Sequence, residues 1–155
     1  MMHSRSEATL SKDLLSLLQK ERYVVLSTID YETKGPCIHA ISWVYAPNPD
    51  TVYFVIDKKS RLIKNIETQR KLAITVIGED STYSIYGDAS IQVEQLENVS
   101  LSLSLVKVDV TEVRDVMFYG GKILSPPEYE KTYDQRAAEK LDKQVMEAMK
   151  KLSLS

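Results

Sequence analysis

Residues 51–68, TVYFVIDKKSRLIKNIET, decide how this chain folds. Thr51 to Ile56 is dense in β-branched and aromatic side chains and reads as a strand. Arg61 to Thr68 reads as a short helix. Between and around them, Asp57 to Lys64 gathers several cations and a hydroxyl where a strand hands over to a helix N-terminus. Unsatisfied backbone N–H groups and the positive end of the helix dipole favour an anion at such a point. Lys59, Ser60, Arg61 and Lys64 are therefore a candidate phosphate site. The same residues also read as an N-cap, Ser60, beside a solvated turn.

Working outward, Leu10, Leu14, Leu17 and Leu18 recur at helical spacing, so an amphipathic helix opens the chain. Its capping box is expected at Ser4-Arg5-Ser6-Glu7, with Ser6 or Thr9 as alternative caps. Tyr23 to Thr28 and Cys37 to Tyr45 read as strands, separated by a polar turn that contains Gly35-Pro36. Ala46 to Asp50 reads as a turn. After the helix, Leu72 to Ile77 makes a fourth strand. Tyr83 to Val93 alternates over a long fifth strand, where Gly87 predicts a bulge or a close backbone approach. Leu105 to Val110, with Val113 and Val116 beyond, makes a sixth. Gly120-Gly121 and Pro126-Pro127 bound a connection. Tyr133, Ala137, Leu141, Val145, Ala148 and Leu152 form the stripe of a C-terminal helix over about 127–152.

Six strands, one short helix after the third, and a helix at each end do not fit a doubly wound sheet, which needs regular strand–helix alternation. The expectation is one mainly β (α+β) domain over 1–155. It is a closed or split antiparallel barrel over about 20–118, because closure removes exposed edges.

The net charge of −2 argues against a general nucleic-acid binder and gives no reason for attraction to anionic membranes. The single cysteine, Cys37, excludes an intrachain disulfide framework and a multi-cysteine zinc site. No secretory signal and no membrane span is read, so a cytoplasmic location is expected.

Phosphate-binding glycine loops, H-E-x-x-H and G-x-S-x-G are all missing. The two histidines are His3 and His39. Cys37 and His39 share a strand face, but no further ligands or orienting third group accompany them, so neither a metal site nor a nucleophile is assigned. With no protein nucleophile visible, any catalysis is expected to come from a cofactor, and a phosphate-bearing one suits the basic junction.

Four stretches in order carry a family resemblance: LLQKERYVVLSTID (17–30), PCIHAISWVY (36–45), VYFVIDKKSRLIKNI (52–66) and YSIYGDASI (83–91). The chain resembles the pyridoxamine 5′-phosphate oxidase-like, FMN-binding split β-barrel superfamily, above all its small bacterial general-stress-protein type. That resemblance implies a six-stranded antiparallel split barrel and a homodimer with FMN at the interface. It places His39, Ala40, Ile41 and Ser42 along the isoalloxazine and Val55 and Ile56 beneath it. Lys59, Ser60, Arg61 and Lys64 would face the phosphate. The implied activity is flavin-dependent oxidation or reduction of a small molecule, with a small-molecule substrate or electron donor as partner. The alternative is a non-enzymatic flavin-binding or cofactor-free stress or regulatory dimer. A heme- or deazaflavin-binding relative on the same fold is a third. Two positions depart from the family: Leu62 stands where a lysine is common, and Gln69-Arg70 where Asn-Pro is frequent. Trp43 either covers a bound ring or fills the barrel. Tyr119-Gly120-Gly121 is either a flap or a plain linker.

Overall fold

The computed structural model describes residues 6–154. In chain order the elements are β1 (Ser6–Glu7), α1 (Lys12–Leu17), β2 (Val24–Ile29), β3 (Pro36–Ile41), β4 (Val44–Asn48), β5 (Thr51–Asp57), α2 (Arg61–Thr68), β6 (Lys71–Ile77), β7 (Thr82–Val93), β8 (Leu103–Asp115) and α3 (Gln135–Leu152). All pairings are antiparallel, in the order β3-β2-β6-β7-β8-β5-β4, with β1 added to the far end of β8. The two ends of this path, β3 and β4, are consecutive strands joined by Ser42 and Trp43 alone. The sheet therefore curls back on itself without zipping shut. The gap lies between β3 and the second half of β5, which β4 is too short to cover. This is the split barrel that the strand pattern and the resemblance predict.

One face of the sheet fills the barrel. Val24 and Leu26, Val52, Phe54 and Ile56, Ile74 and Val76, Ile85, Val106 and Val108 alternate inward, and Leu10, Leu14 and Leu18 join them from the α1 region. α2 inserts Leu62 and Ile66 into the same core. On the opposite face of β5 and β8, Tyr53, Val55, Leu103 and Leu105 pack against Leu141, Val145 and Met149 of α3. β5 is thus buried on both faces from Thr51 to Ile56. That is the physical reason for its unbroken apolar run: it is covered by the barrel interior on one side and by a helix on the other.

The expected long strand over Cys37 to Tyr45 is two strands, broken at Ser42–Trp43, where the Val44 N–H donates to the Ser42 carbonyl at 3.1 Å. β4 then runs through Pro47 to Asn48, so the turn expected over 46–50 shrinks to Pro49 and Asp50. Pro47 is tolerated because β4 is an edge strand with a bulge between Tyr45 and Asn48. This split, together with β1, raises the strand count from six to eight. The opening helix is capped by Ser11, whose hydroxyl accepts from the Leu14 N–H at 3.2 Å. The predicted box does not cap it: Ser6 and Glu7 are in a strand, Ser4 and Arg5 lie outside the described residues, and the Leu10 N–H is tied to the Pro49 carbonyl at 2.9 Å.

α3 begins at Gln135, later than expected, with Asp134 as its N-cap. Its buried seam is Ala138, Leu141, Val145 and Met149, rotated from the predicted stripe, so that Ala137 is exposed and Ala148 half-buried. Gly87 behaves as predicted. The β7–β8 register shifts between Tyr86 and Gly87, and a Cβ at Gly87 would stand 2.5 Å from the Asp109 carbonyl oxygen.

Candidate functional site

The junction after β5 is built by short-range hydrogen bonds. The Asp57 carboxylate accepts from the Lys59 N–H at 2.7 Å, and the Asp57 carbonyl accepts from the Ser60 N–H at 2.9 Å. Ser60 then caps α2, accepting from the Leu62 N–H at 3.2 Å. Because Leu62 and Ile66 anchor α2 in the core, Lys64 and Glu67 turn outward. Tyr31, Lys58, Lys59, Ser60, Arg61 and Lys64 line a hollow of about 340 Å³ there.

The cations of this hollow are not equivalent. Arg61 forks onto Asp30 (Nη2 to Oδ2 at 3.0 Å) and reaches Glu32 at 2.6 Å, with its guanidinium 4.6 Å from the Tyr31 ring centroid. Asp30 also accepts from the Glu32 and Thr33 N–H groups at 3.1 and 2.9 Å. The Arg61 guanidinium, followed by the Thr33 N–H, holds the Asp30 carboxyl well below the usual carboxylate range, and Arg61 is raised in return. Arg61 is therefore balanced by two carboxylates and fixes the β2–β3 turn against α2. Buried Asn65 adds to that bolt: its Oδ1 accepts from the Tyr31 N–H at 2.9 Å and its Nδ2 donates to the Thr28 hydroxyl at 3.0 Å. Among the described residues Lys59 and Lys64 have no ion pair, and Lys64 lies 5.4 Å from the Tyr31 ring centroid.

A second hollow, of about 380 Å³, occupies the split of the barrel. His39, Ala40, Ile41 and Ser42 wall it on one side, and Val55, Ile56 and Asp57 on the other, with Leu62 at its base. Ser60 lines both hollows, so they adjoin at that residue. The ten residues singled out in the sequence thus line these two adjoining hollows. Leu62, where the resemblance expects a lysine, is 1 % exposed and serves the core. Cys37 Sγ lies 3.9 Å from His39 Nδ1. Among the described residues no group of three or more metal-ligating side chains comes together.

Sequence reasoning missed Tyr31, Lys131 and Tyr133 as lining residues. Trp43, read either as a ring cover or as barrel filling, lines the second hollow and packs half-buried against the cluster beneath α3, outside the barrel core. Lys131 Nζ lies 2.8 Å from Glu21, 2.9 Å from Asp142 and 3.4 Å from the Ser42 hydroxyl, and the Trp43 Nε1–H donates to the same Asp142 oxygen at 2.8 Å. Burial pulls the Lys131 ammonium down, but the bonds to Glu21 and Asp142 outweigh it and leave the group raised. Burial, and then Glu21, pushes the neighbouring Tyr129 phenol up to about 12. No local signal could have found this cluster. Lys131 stands in an aperiodic stretch, and its partners come from distant parts of the chain.

The donor set suits a phosphorylated planar heteroaromatic. Lysines and a hydroxyl stand at a helix N-terminus in one hollow, and apolar and aromatic walls beside a strand edge form the other. No helix among the described residues is long and apolar enough to cross a membrane.

The family model described as pyridoxamine 5′-phosphate oxidase matches residues 10–117. A search of curated proteins returns no match. Among solved structures, a protein from Lactobacillus delbrueckii named for pyridoxamine 5′-phosphate oxidase superposes with a TM-score of 0.61 at 16% identity, covering 72% of this chain and 98% of its own. General Stress Protein 26 from Bacillus anthracis gives a TM-score of 0.54 at 18% identity, covering 66% and 89%. A protein named F420 reductase gives 0.55 at 16% identity, covering 67% and 98%. At such identities these neighbours speak for the fold alone, while the family model spans most of the chain. On that match and on its split antiparallel barrel, the chain belongs to the pyridoxamine 5′-phosphate oxidase-like split-barrel superfamily.

Proposed function

We propose that this chain is an FMN-binding split-barrel protein, homodimeric, with the flavin at the subunit interface, and that it works as a flavin-dependent oxidoreductase on a small molecule. The observation that carries the reading is that two hollows adjoin at Ser60, one cationic at the start of α2 and one apolar in the barrel split. Lys59, Lys64 and the Ser60 hydroxyl would hold the phosphate. The ends of β3 and β5 would hold the ring, with Leu62 and Trp43 keeping water from it and His39 offering an imidazole hydrogen bond. When bound, FMN supplies hydride or electron transfer, and the protein's part is orientation and electrostatics.

The dimer is supported by the outer face of β2 and β3. There Ile38, 59 % exposed, pairs with Ser27, and the exposed Ile29 pairs with Pro36. Exposed Ala40 belongs to that face and also lines the ring hollow, so a second copy seated on it would meet the ligand.

The test is an FMN titration of the purified protein with desalting, followed by Lys59→Glu and Lys64→Glu together. Each charge-assisted phosphate contact is worth about 1.5–3 kcal/mol, so the double variant should bind at least tenfold more weakly and with a smaller salt dependence. Equal affinity would remove the phosphate assignment. One observation favours the cofactor-free alternative: Arg61 is already committed to Asp30 and Glu32. If wild-type protein retains no flavin bands, that reading replaces the first, and heme or a deazaflavin would be recognised by its own spectrum.

A further inference from the structure

Beyond β8, the chain returns to the barrel split and crosses its ring end immediately before α3. This return carries Lys131 and Tyr133, both of which line the ring hollow. It also lies outside the residues 10–117 that match the family model. The Lys131 ammonium spends its three N–H donors on three separate elements: Glu21 ahead of β2, Asp142 on α3, and Ser42 at the β3–β4 break. Asp142 simultaneously holds the Trp43 indole, and Glu21 accepts from the Tyr129 hydroxyl at 3.1 Å. Of this network Ser42, Trp43 and Lys131 face the hollow, while Glu21 and Asp142 stand behind them.

We propose that Lys131 is a positioning residue that clasps this return segment over the ring end of the site, and that Tyr133 is the side chain the segment presents to the bound ring. The inference rests on the FMN reading above and assigns to it residues that lie beyond the matched span. The physical argument is charge balance. Glu21 and Asp142 are both largely buried, at 20 % and 19 % side-chain exposure, and both touch one ammonium. Without that ammonium the segment loses its ties to Glu21, Asp142 and Ser42, and two part-buried carboxylates are left without their shared cation. Ser42 loses its bond to the ammonium, and Asp142, which also holds the Trp43 indole, loses the cation that fixes it. Tyr133 is 48 % exposed and lines the hollow, so its ring is open to stacking by a planar partner.

The experiment compares wild type with Lys131→Met, Lys131→Arg and Tyr133→Ala in FMN titrations of the full chain. It is paired with acrylamide quenching of Trp43, the single tryptophan, before FMN is added. Lys131→Met should bind FMN about tenfold more weakly and leave Trp43 more quenchable, while Lys131→Arg restores both. Tyr133→Ala should weaken FMN about threefold to tenfold and raise the fluorescence of the bound flavin, without changing thermal stability. Should Lys131→Met fail to fold, the surface variant Tyr133→Ala alone decides. Wild-type affinity in both variants, or altered Trp43 quenching with unaltered FMN affinity, overturns the inference while leaving the FMN reading standing. A wild type that takes up no FMN overturns that reading and the inference together.

Discussion

Asn65→Ala should cost the protein about 2–4 kcal/mol of stability, although it touches neither hollow. Asn65 is fully buried and makes two side-chain hydrogen bonds, to the Tyr31 N–H and to the Thr28 hydroxyl, which is itself 1 % exposed. Two net hydrogen bonds contribute about 1 kcal/mol each, and leaving a buried donor or acceptor unpaired adds about 1–3 kcal/mol. Alanine's better helix propensity returns at most about 0.7 kcal/mol. The loss is read from urea unfolding at fixed protein concentration, followed by Trp43 emission, as a fall in midpoint at unchanged slope. The double variant with Thr28→Val provides the control, because removing both partners of a buried bond costs far less than orphaning one. It should therefore recover about 1 kcal/mol. A single-variant loss under about 0.5 kcal/mol, or no recovery in the double variant, would refute the claim that this amide bolts the β2–β3 turn to α2.

Three further outcomes are expected. Gly87→Ala should destabilise by about 1–3 kcal/mol, because its Cβ would meet the Asp109 carbonyl oxygen at 2.5 Å and Val108 Cγ1 at 2.6 Å; a thermal melt unchanged from wild type would contradict it. Because Arg61 depresses the Asp30 carboxyl, ionised Asp30 stabilises the fold above an unfolded value of about 4, and that contribution is lost as pH falls further. Asp30→Asn should accordingly be less stable at neutral pH and show a shallower loss between about pH 4 and pH 2, measured by unfolding midpoints; parallel acid limbs would contradict the coupling. Sedimentation should report a dimer at micromolar concentration, and Ile38→Glu, which puts a charge on the exposed face of β3, should give monomer with weakened FMN retention.

Periodicity carried most of the fold. Alternation over Leu72–Ile77 and Tyr83–Val93 marked strands that exist within a residue or two, and α2 occupies the predicted Arg61–Thr68. Such patterns are legible because side-chain facing repeats every two or three to four residues, within one element. Gly87 was legible for a similar reason, since a glycine in a well-patterned strand marks a place where Cβ has no room. The break at Ser42–Trp43 was not, because β propensity is high on both sides of it. It forms where the two ends of the sheet meet, which no local window contains.

The candidate site divides along the same line. The sequence by itself determined that cations and a hydroxyl gather at a strand-to-helix junction, since that follows from neighbouring residues and the backbone they favour. Only the tertiary structure decided which of those charges face the hollow. Arg61 is taken by Asp30, thirty-one positions earlier, because the β2–β3 turn folds against α2. Lys131 reaches the second hollow because α3 packs on β5 and the segment before it lies at the split. Charge pairing depends on distance in space, and chain reversal, unlike side-chain periodicity, leaves no mark in the spacing of residues.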